Sequence, residues 1–269
     1  MKSKSFIDIH NHIIYGFDDG PSTMDVVKKM LDMAIKQETA VIYATSHFQE
    51  FANDSLLNDY YAKLKEAQQY IKDQGLPLQL LPGAEVFYHT AIEESAFSYR
   101  NYRLNETSRY ILFEFPMFHT INNYLDAIFK MRLKKLRPVV AHPERYQMVL
   151  KDYSSVVKMV NVGALMQVNC GSLLGHFGST VQEISKKMLQ DRLVHLIASD
   201  AHREEGRTFK MLETYELCRT FMDEKYLEEI FVLNQQKIMH DEDIEPLVPD
   251  LQQDEKSFKR KIFKIFNFK

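Results

Sequence analysis

Short apolar, β-rich runs alternate with runs of helical period seven times along this 269-residue chain. That alternation leaves few architectures open. Neighbouring parallel strands need long crossovers, and helices supply them while covering the sheet. Strands are expected at 6–14, 40–45, 78–86, 110–115, 138–141, 165–169 and 193–198. Helices are expected at 24–36, 56–72, 122–136, 156–162, 180–190, 209–223 and 225–239. Ser22 or Thr23 can cap the first helix, and Gly75 and Gly163 stop the second and the fourth. The second carries Leu57, Tyr60, Tyr61, Leu64, Ala67 and Ile71 on one face. An α/β barrel is the natural closure, although the pattern alone leaves a doubly wound sheet open.

Bulk properties remove several function classes. Net charge is −3, from 34 basic and 37 acidic residues, which argues against a general nucleic-acid binder. The two cysteines, Cys170 and Cys218, have no pairing pattern and fit a reducing, cytoplasmic compartment. No stretch approaches the ~18 apolar residues of a membrane span. The apolar run after Ser5 is too short for a signal peptide.

The chemistry-bearing residues gather at predicted strand ends. His10 and His12 stand two apart in the first strand and so project from one face, offering two nitrogens to one cation. Alone, a His-x-His pair is more often two ordinary histidines than a ligand pair. Here His47, Glu85, Glu114, His142, Asp200 and His202 also fall at or just after the C-terminal ends of strands, the face that carries the active site in barrel enzymes. Asp19, in the turn after the first strand, makes nine candidates. One cation takes about four to six ligands, so two or three ions sharing a carboxylate are expected. Mixed imidazole and carboxylate donors suit Mn²⁺, Fe²⁺ or Zn²⁺ rather than Ca²⁺. Paired divalent ions about 3.5–4 Å apart can clamp a phosphoryl oxygen for in-line displacement. The remaining histidines, His89, His119, His176, His195 and His240, do not follow the strand-end rule and are expected to be surface or supporting groups.

Arg145 follows His142 by three residues and Arg207 follows His202 by five, so both are expected on loops at the same face. A guanidinium fork matches phosphate oxygens and stabilises charge on a transferring phosphoryl group. A cysteine-dependent phosphatase is set aside: the loop after Cys170 has His176 where that chemistry needs arginine, and Cys218 has no such loop. Both cysteines read as packing residues. No Gly-x-x-x-x-Gly-Lys-Ser/Thr loop is present, which sets aside a nucleoside triphosphatase.

Asp8-x-His10-x-His12, Asp18-Asp19-Gly20-Pro21, Thr45-Ser46-His47, Gly83-Ala84-Glu85, Glu114-Phe115, Ala141-His142-Pro143-Glu144-Arg145-Tyr146 and Ala198-Ser199-Asp200-x-His202 occur in that order. Over roughly residues 5–240 the chain therefore resembles PHP-domain proteins, and more narrowly the bacterial manganese-dependent protein-tyrosine phosphatases of capsule and exopolysaccharide operons. The resemblance implies a single-domain, distorted (β/α)7 TIM-like barrel with a trinuclear Mn²⁺ site, Fe²⁺ or Zn²⁺ being the other candidate ions. It assigns one ion to His10, His12, Glu85 and Asp200, a second to Glu85, Glu114 and His142, and a third to Asp19, His47 and His202. Arg145 and Arg207 would bind phosphate, and a metal-bound hydroxide would attack phosphorus directly. The implied substrate is phosphotyrosine on a membrane-associated tyrosine kinase that controls polysaccharide export. Histidinol phosphate or another small phosphomonoester is the second enzyme reading and a PHP exonuclease, weakened by the balanced charge, the third; an inactive PHP scaffold is the reading outside enzymes.

The phosphatase domain is expected to span 1–245 and a C-terminal extension 246–269. Within the extension, 256–269 holds six basic residues and no acidic one, interleaved with Phe258, Ile262, Phe263, Ile265, Phe266 and Phe268. A basic amphipathic segment of this kind can lie on an anionic membrane. That would make a cytoplasmic enzyme peripheral at the inner face. A terminal helix packed on the barrel is the plainer reading.

Overall fold

All the strands formed by the described residues run parallel to their neighbours. The computed structural model describes residues 5–48, 53–88, 100–119 and 121–245. Strands β1 (Phe6–Asp8), β2 (Thr39–Ala44) and β4 (Gln79–Pro82) form one sheet. Strands β3 (His47–Phe48), β5 (Glu85–Phe87), β6 (Tyr110–Glu114), β7 (Arg137–Ala141), β8 (Leu165–Asn169) and β9 (Leu196–Ala198) form a second, in that order. The fold is therefore α/β, and a single continuous ladder around a barrel is not formed among the described residues.

The two sheets are one strand succession interrupted. β2 continues into β3 across Thr45-Ser46, and β4 into β5 across Gly83-Ala84. The 78–86 run was expected as one strand, and the 40–45 strand was expected to end before His47. The Tyr60 hydroxyl enters the gap, donating to the Ala44 carbonyl (2.7 Å) and accepting the Gly83 N–H (3.0 Å). Gly83 is required there, because a Cβ would stand 2.8 Å from Thr45 Cγ2. The first strand is also shorter than expected: beyond Asp8 only Asn11 bridges a neighbour, Ala201. The backbone at this join is held by Asp200 N–H to the His10 carbonyl and His12 N–H to the Ala201 carbonyl, both 2.8 Å. Buried Asp8 ties the same two segments by accepting Ser199 N–H (2.9 Å) and the Ser199 hydroxyl (2.5 Å).

Helices cover one face of the strands. In α1 (Met24–Lys36) the Thr23 side chain caps Val26 N–H, and Val27, Met30, Leu31 and Ala34 are buried. In α2 (Asp54–Asp73) the cap is Asn53, and Tyr60, Leu64, Ala67 and Ile71 are buried. The helix ends as expected at Gly75, whose positive φ lets Gly75 N–H reach the Lys72 carbonyl and Leu76 N–H the Ile71 carbonyl. Gly163 ends the helix Ser154–Asn161 by the same pair of bonds. Lys135 and Arg192 do so too with φ of 62° and 59°, and no glycine marks those exits in the sequence. Two expected helices are cut short: 122–136 is Tyr124–Leu133, and 209–223 is Met211–Cys218. The last stretch, 225–239, passes through a wider turn at Glu229–Leu233 before Asn234–Met239.

Strand residues alternate between two apolar layers. Ile42, Ala44, Ile111, Phe113, Val140, Met166, Val168 and Ile197 pack against the helices. Tyr43, Tyr110, Leu112, Val139, Ala141, Leu165, Leu196 and Ala198 form the opposite layer, closed at the strands' N-terminal end by Ile238 and Ile244. There Arg109 binds Asp241 and Asp243, Arg137 binds Asp243, and the Tyr110 hydroxyl donates to the Glu242 carbonyl. Cys170 and Cys218 are buried, unpaired packing residues. Among the described residues no helix is long and apolar enough to cross a membrane. His89 and the basic segment 256–269 lie outside the described residues.

Candidate metal centre

Along the second layer, two-residue steps change from apolar to ligand at the strands' C-terminal ends. Tyr43 leads to His47 by way of Thr45, Leu112 to Glu114, and Ala198 to Asp200. Leu165 leads to Gln167 and then Asn169, both buried. His142 and Asp200 leave their strands in the left-handed region, at φ of 34° and 53°. Such backbone costs roughly 1–3 kcal/mol per residue and is retained where geometry demands it.

All nine predicted residues are brought together. His10 Nε2 lies 3.2 Å from Glu85 Oε2 and 3.6 Å from Asp200 Oδ1. His12 Nε2 lies 3.3 and 3.5 Å from the same two oxygens. His142 Nε2 is 3.0 Å from Glu85 Oε1 and 3.5 Å from Glu114 Oε2. His47 places Nδ1 3.1 Å from Glu85 and Nε2 3.7 Å from Asp19, and His202 Nε2 is 3.3 Å from Asp19. Three groups have ligand atoms within 4.8 Å of one another: His10, His12 and Glu85; His47, Glu85 and Glu114; and His12, Asp19, His47 and His202. Glu85 belongs to two of them and stands at the centre.

Hydrogen-bond direction decides what these groups can hold. The carboxylate of Asp200 accepts from Asn169 Nδ2 (2.6 Å), so Asn169 Oδ1 accepts from Gln167 Nε2 (2.8 Å). Gln167 therefore turns its oxygen to His10 Nδ1 (2.8 Å), which must carry the hydrogen. His12 Nδ1 donates in the same way to Asp18 (2.8 Å). In the neutral rings both Nε2 atoms are then lone-pair acceptors, and they face each other at 3.4 Å. Two lone pairs with two carboxylate oxygens around them form no hydrogen bond; a cation between them makes the arrangement favourable. His202 is set alike, its Nδ1 donating to the Asp200 carbonyl (3.0 Å). Glu85 Oε2, Asp200 Oδ1, His47 Nδ1 and His202 Nε2 are buried without a hydrogen-bond partner. Buried polar groups rarely stay unpaired, so the donor set fits divalent cations.

The local field agrees. Burial works against an imidazolium at His10, yet Glu85 and Asp200 outweigh it and lift its pKa to about 9. Burial, and then the neighbouring Glu85 charge, pushes Glu114 up to about 8. Burial also opposes ionisation of Glu85 and Asp200, but His10 and its neighbours hold both well below the usual range. Uncompensated negative charge inside a protein draws a cation, whether proton or metal.

Both arginines reach the same place. Arg145 Nη1 (3.2 Å) and Arg207 Nη2 (2.7 Å) donate to Asp200 Oδ2, while Oδ1 faces His10 and His12. The Arg145 guanidinium lies 4.3 Å over the Phe177 ring. Buried Glu144 braces the loop below by accepting Ser172 Oγ (2.6 Å) and Asn169 N–H (3.0 Å). Burial pushes its carboxyl up to about 7. Asp18, Gln167, Asn169 and Glu144 were not anticipated. Gln167 and Asn169 had a usable signal, two polar residues on one face of an apolar strand end. Asp18 read only as turn. His195 lies away from the cluster, its Nδ1 accepting Met166 N–H (3.0 Å).

The model of the family described as "Capsular polysaccharide synthesis, CpsB/CapC" matches residues 6–240. The chain belongs to the CpsB/CapC family. Among CpsB/CapC relatives, the tyrosine-protein phosphatase YwqE of Bacillus subtilis is 33% identical over 224 residues, 81% of this chain and 86% of YwqE. Crystal structures of YwqE and of CpsB from Streptococcus pneumoniae, described as metal-dependent tyrosine phosphatases, superpose with a TM-score of 0.82 at 28% identity, covering 90% of this chain and 98% of the matched one. A phosphotriesterase homology protein from Escherichia coli, at 13% identity and a TM-score of 0.55 over 88% of this chain and 99% of its own, shares the fold alone.

Proposed function

We propose that this CpsB/CapC chain is a metal-dependent tyrosine-protein phosphatase that removes phosphate from a tyrosine kinase of capsular or exopolysaccharide synthesis. The observation that carries the reading is the divided role of Asp200: one oxygen turns to His10 and His12, the other holds Arg145 and Arg207. A phosphoryl group drawn to the cluster therefore meets two guanidinia already aimed at it. Family membership supplies the phosphotyrosine.

His10, His12, Glu85 and Asp200 would hold one ion, Glu85, Glu114 and His142 a second, and Asp19, His47 and His202 a third, Mn²⁺ being the proposed metal. Bound divalent ions supply Lewis acidity toward the phosphoryl oxygens and the attacking water. The protein's residues do the rest. Asp18, Gln167 and the Asp200 carbonyl fix the tautomers of His12, His10 and His202. Arg145 and Arg207 exchange Asp200 for phosphate oxygens and stabilise the charge of the transferring group. Asp19 and Arg207, with side chains 57% and 34% exposed, form the outer rim, which suits a peptide more than a small enclosed monoester.

In this reading the interrupted strand succession closes as a distorted seven-stranded barrel, residues 1–245 form the catalytic domain and 246–269 an extension. The enzyme works in the cytoplasm, and the basic residues of 256–269 offer a contact with the inner membrane face. Liposome binding that survives removal of 256–269 would remove that membrane role. The function itself is tested by kcat/KM of the Mn²⁺-loaded enzyme on a phosphotyrosine peptide, a phosphoserine peptide and histidinol phosphate. Preference for the first supports the assignment; preference for histidinol phosphate replaces it.

A further inference from the structure

We propose that the open cavity of about 530 Å³ beside Arg207 seats the aryl ring of the substrate, with Phe177 as its aromatic wall. The proposal rests on the phosphatase reading above and specifies what that site selects. Phe177, Gly206, Arg207 and Thr208 line the cavity. Arg207 thus has two surroundings at once, the cavity and, through Nη2, Asp200 at the cluster. A phosphate ester held by Arg145 and Arg207 carries its ester group one oxygen away, which places that group at the cavity mouth.

Phe177 is fixed for such a role. One side of its ring carries the Arg145 guanidinium at 4.3 Å. It also packs closely on Gly171, where a Cβ would come within 3.1 Å of the ring. Gly206, at φ of 72°, lines the cavity without a side chain, and a Cβ there would meet nothing within 4 Å. The result is an open cavity with Phe177 as its one apolar side chain, flanked by His176, Glu205 and Lys210 and set beside two phosphate-binding arginines. Phosphotyrosine fills such a cavity with its phenyl group, whereas phosphoserine offers a single methylene. Aromatic contact favours the first, and Phe177 thereby becomes a specificity residue.

The test uses the Mn²⁺-loaded full chain and two non-hydrolysable probes, phenylphosphonate and methylphosphonate, titrated by calorimetry. The wild-type protein should prefer the phenyl compound by about tenfold, as an aromatic contact plus burial predicts. Phe177→Leu should lower that preference to about twofold, any loss of the Arg145 contact weakening both compounds alike, and Phe177→Tyr should restore it. Equal loss of both affinities would mean that Phe177 acts only through Arg145 and would overturn the proposal. So would an unchanged preference in Phe177→Leu. Failure of the phosphatase reading is distinguishable: wild-type protein would then bind phenylphosphonate selectively without hydrolysing a phosphotyrosine peptide.

Discussion

Arg207 Nη2 sits 2.7 Å from Asp200 Oδ2, and the other oxygen of that carboxylate faces His10 and His12. One residue therefore joins the phosphate grip to the cation cluster. Asp200→Asn should lower bound Mn²⁺ by one ion per chain and cut kcat/KM by at least about a thousandfold, since a ligand charge and an arginine anchor go together. Elemental analysis beside steady-state kinetics reads both effects. Full metal occupancy in the variant would separate Asp200 from the cluster.

The Arg207 guanidinium bonds Asp200, and the Arg207 carbonyl accepts the N–H of His202 (2.8 Å), a main-chain bond that a side-chain substitution leaves in place. Arg207→Lys should keep its metal and lose activity by about a hundredfold, because a lysine point charge cannot replace a planar fork. The loss should fall on kcat if the guanidinium acts in the transition state. Unchanged kcat/KM would take Arg207 out of the site.

Gln167 fixes the direction of the relay from Asp200 through Asn169 to His10. Gln167→Met fills the same space without the acceptor. It should weaken Mn²⁺ binding about 10–100-fold, the usual effect of losing a group that orients a ligand. Asp18→Ala should do the same through His12. Calorimetric titration of the stripped proteins is the check.

The parts of this site legible in the sequence were those with a period or a special residue. Two-residue spacing placed His10 beside His12, and strand-end position gathered His47, Glu85, Glu114, His142 and Asp200. Gly75 and Gly163 marked helix ends because only glycine takes that conformation without strain, whereas Lys135 and Arg192 adopt it unannounced. The break between Pro82 and Glu85 was hidden, because its cause is the Tyr60 hydroxyl arriving from another element. The tautomer relay was hidden for the same reason: Gln167, Asn169 and Asp18 gain meaning only from partners distant in the chain. The end of the first strand misled because its apolar residues persist to Ile14 while its continuous pairing stops at Asp8, with only the isolated Asn11–Ala201 bridge beyond.

Gly83→Ala would drive a methyl group toward Thr45 Cγ2, which is itself held by hydrogen bonds between Thr45 Oγ1 and the Asn11 backbone. A loss of about 1–3 kcal/mol in unfolding free energy is expected, the usual cost of overpacking. Denaturant titration measures it, and wild-type stability would show that the strand break tolerates a side chain.

His195 gives the stability a pH dependence. Burial depresses its pKa to about 4, against about 6.5 in the unfolded chain. Between those values the unfolded chain binds a proton that the folded one refuses. Stability is therefore unaffected by this group above pH ~6.5 and falls as pH drops toward ~4, by up to roughly 3 kcal/mol. His195→Gln keeps an acceptor for Met166 N–H and should flatten that part of the profile. An equally steep decline in the variant would assign it to other groups.

The most direct test of the account is a Mn²⁺ titration of chelator-stripped protein, with binding and phosphotyrosine-peptide hydrolysis followed on the same sample. Facing lone pairs on His10 and His12 predict tight uptake of two or three ions per chain and turnover that rises as they bind. A folded protein that takes up no divalent metal, or fills its sites and leaves the peptide intact, would contradict it.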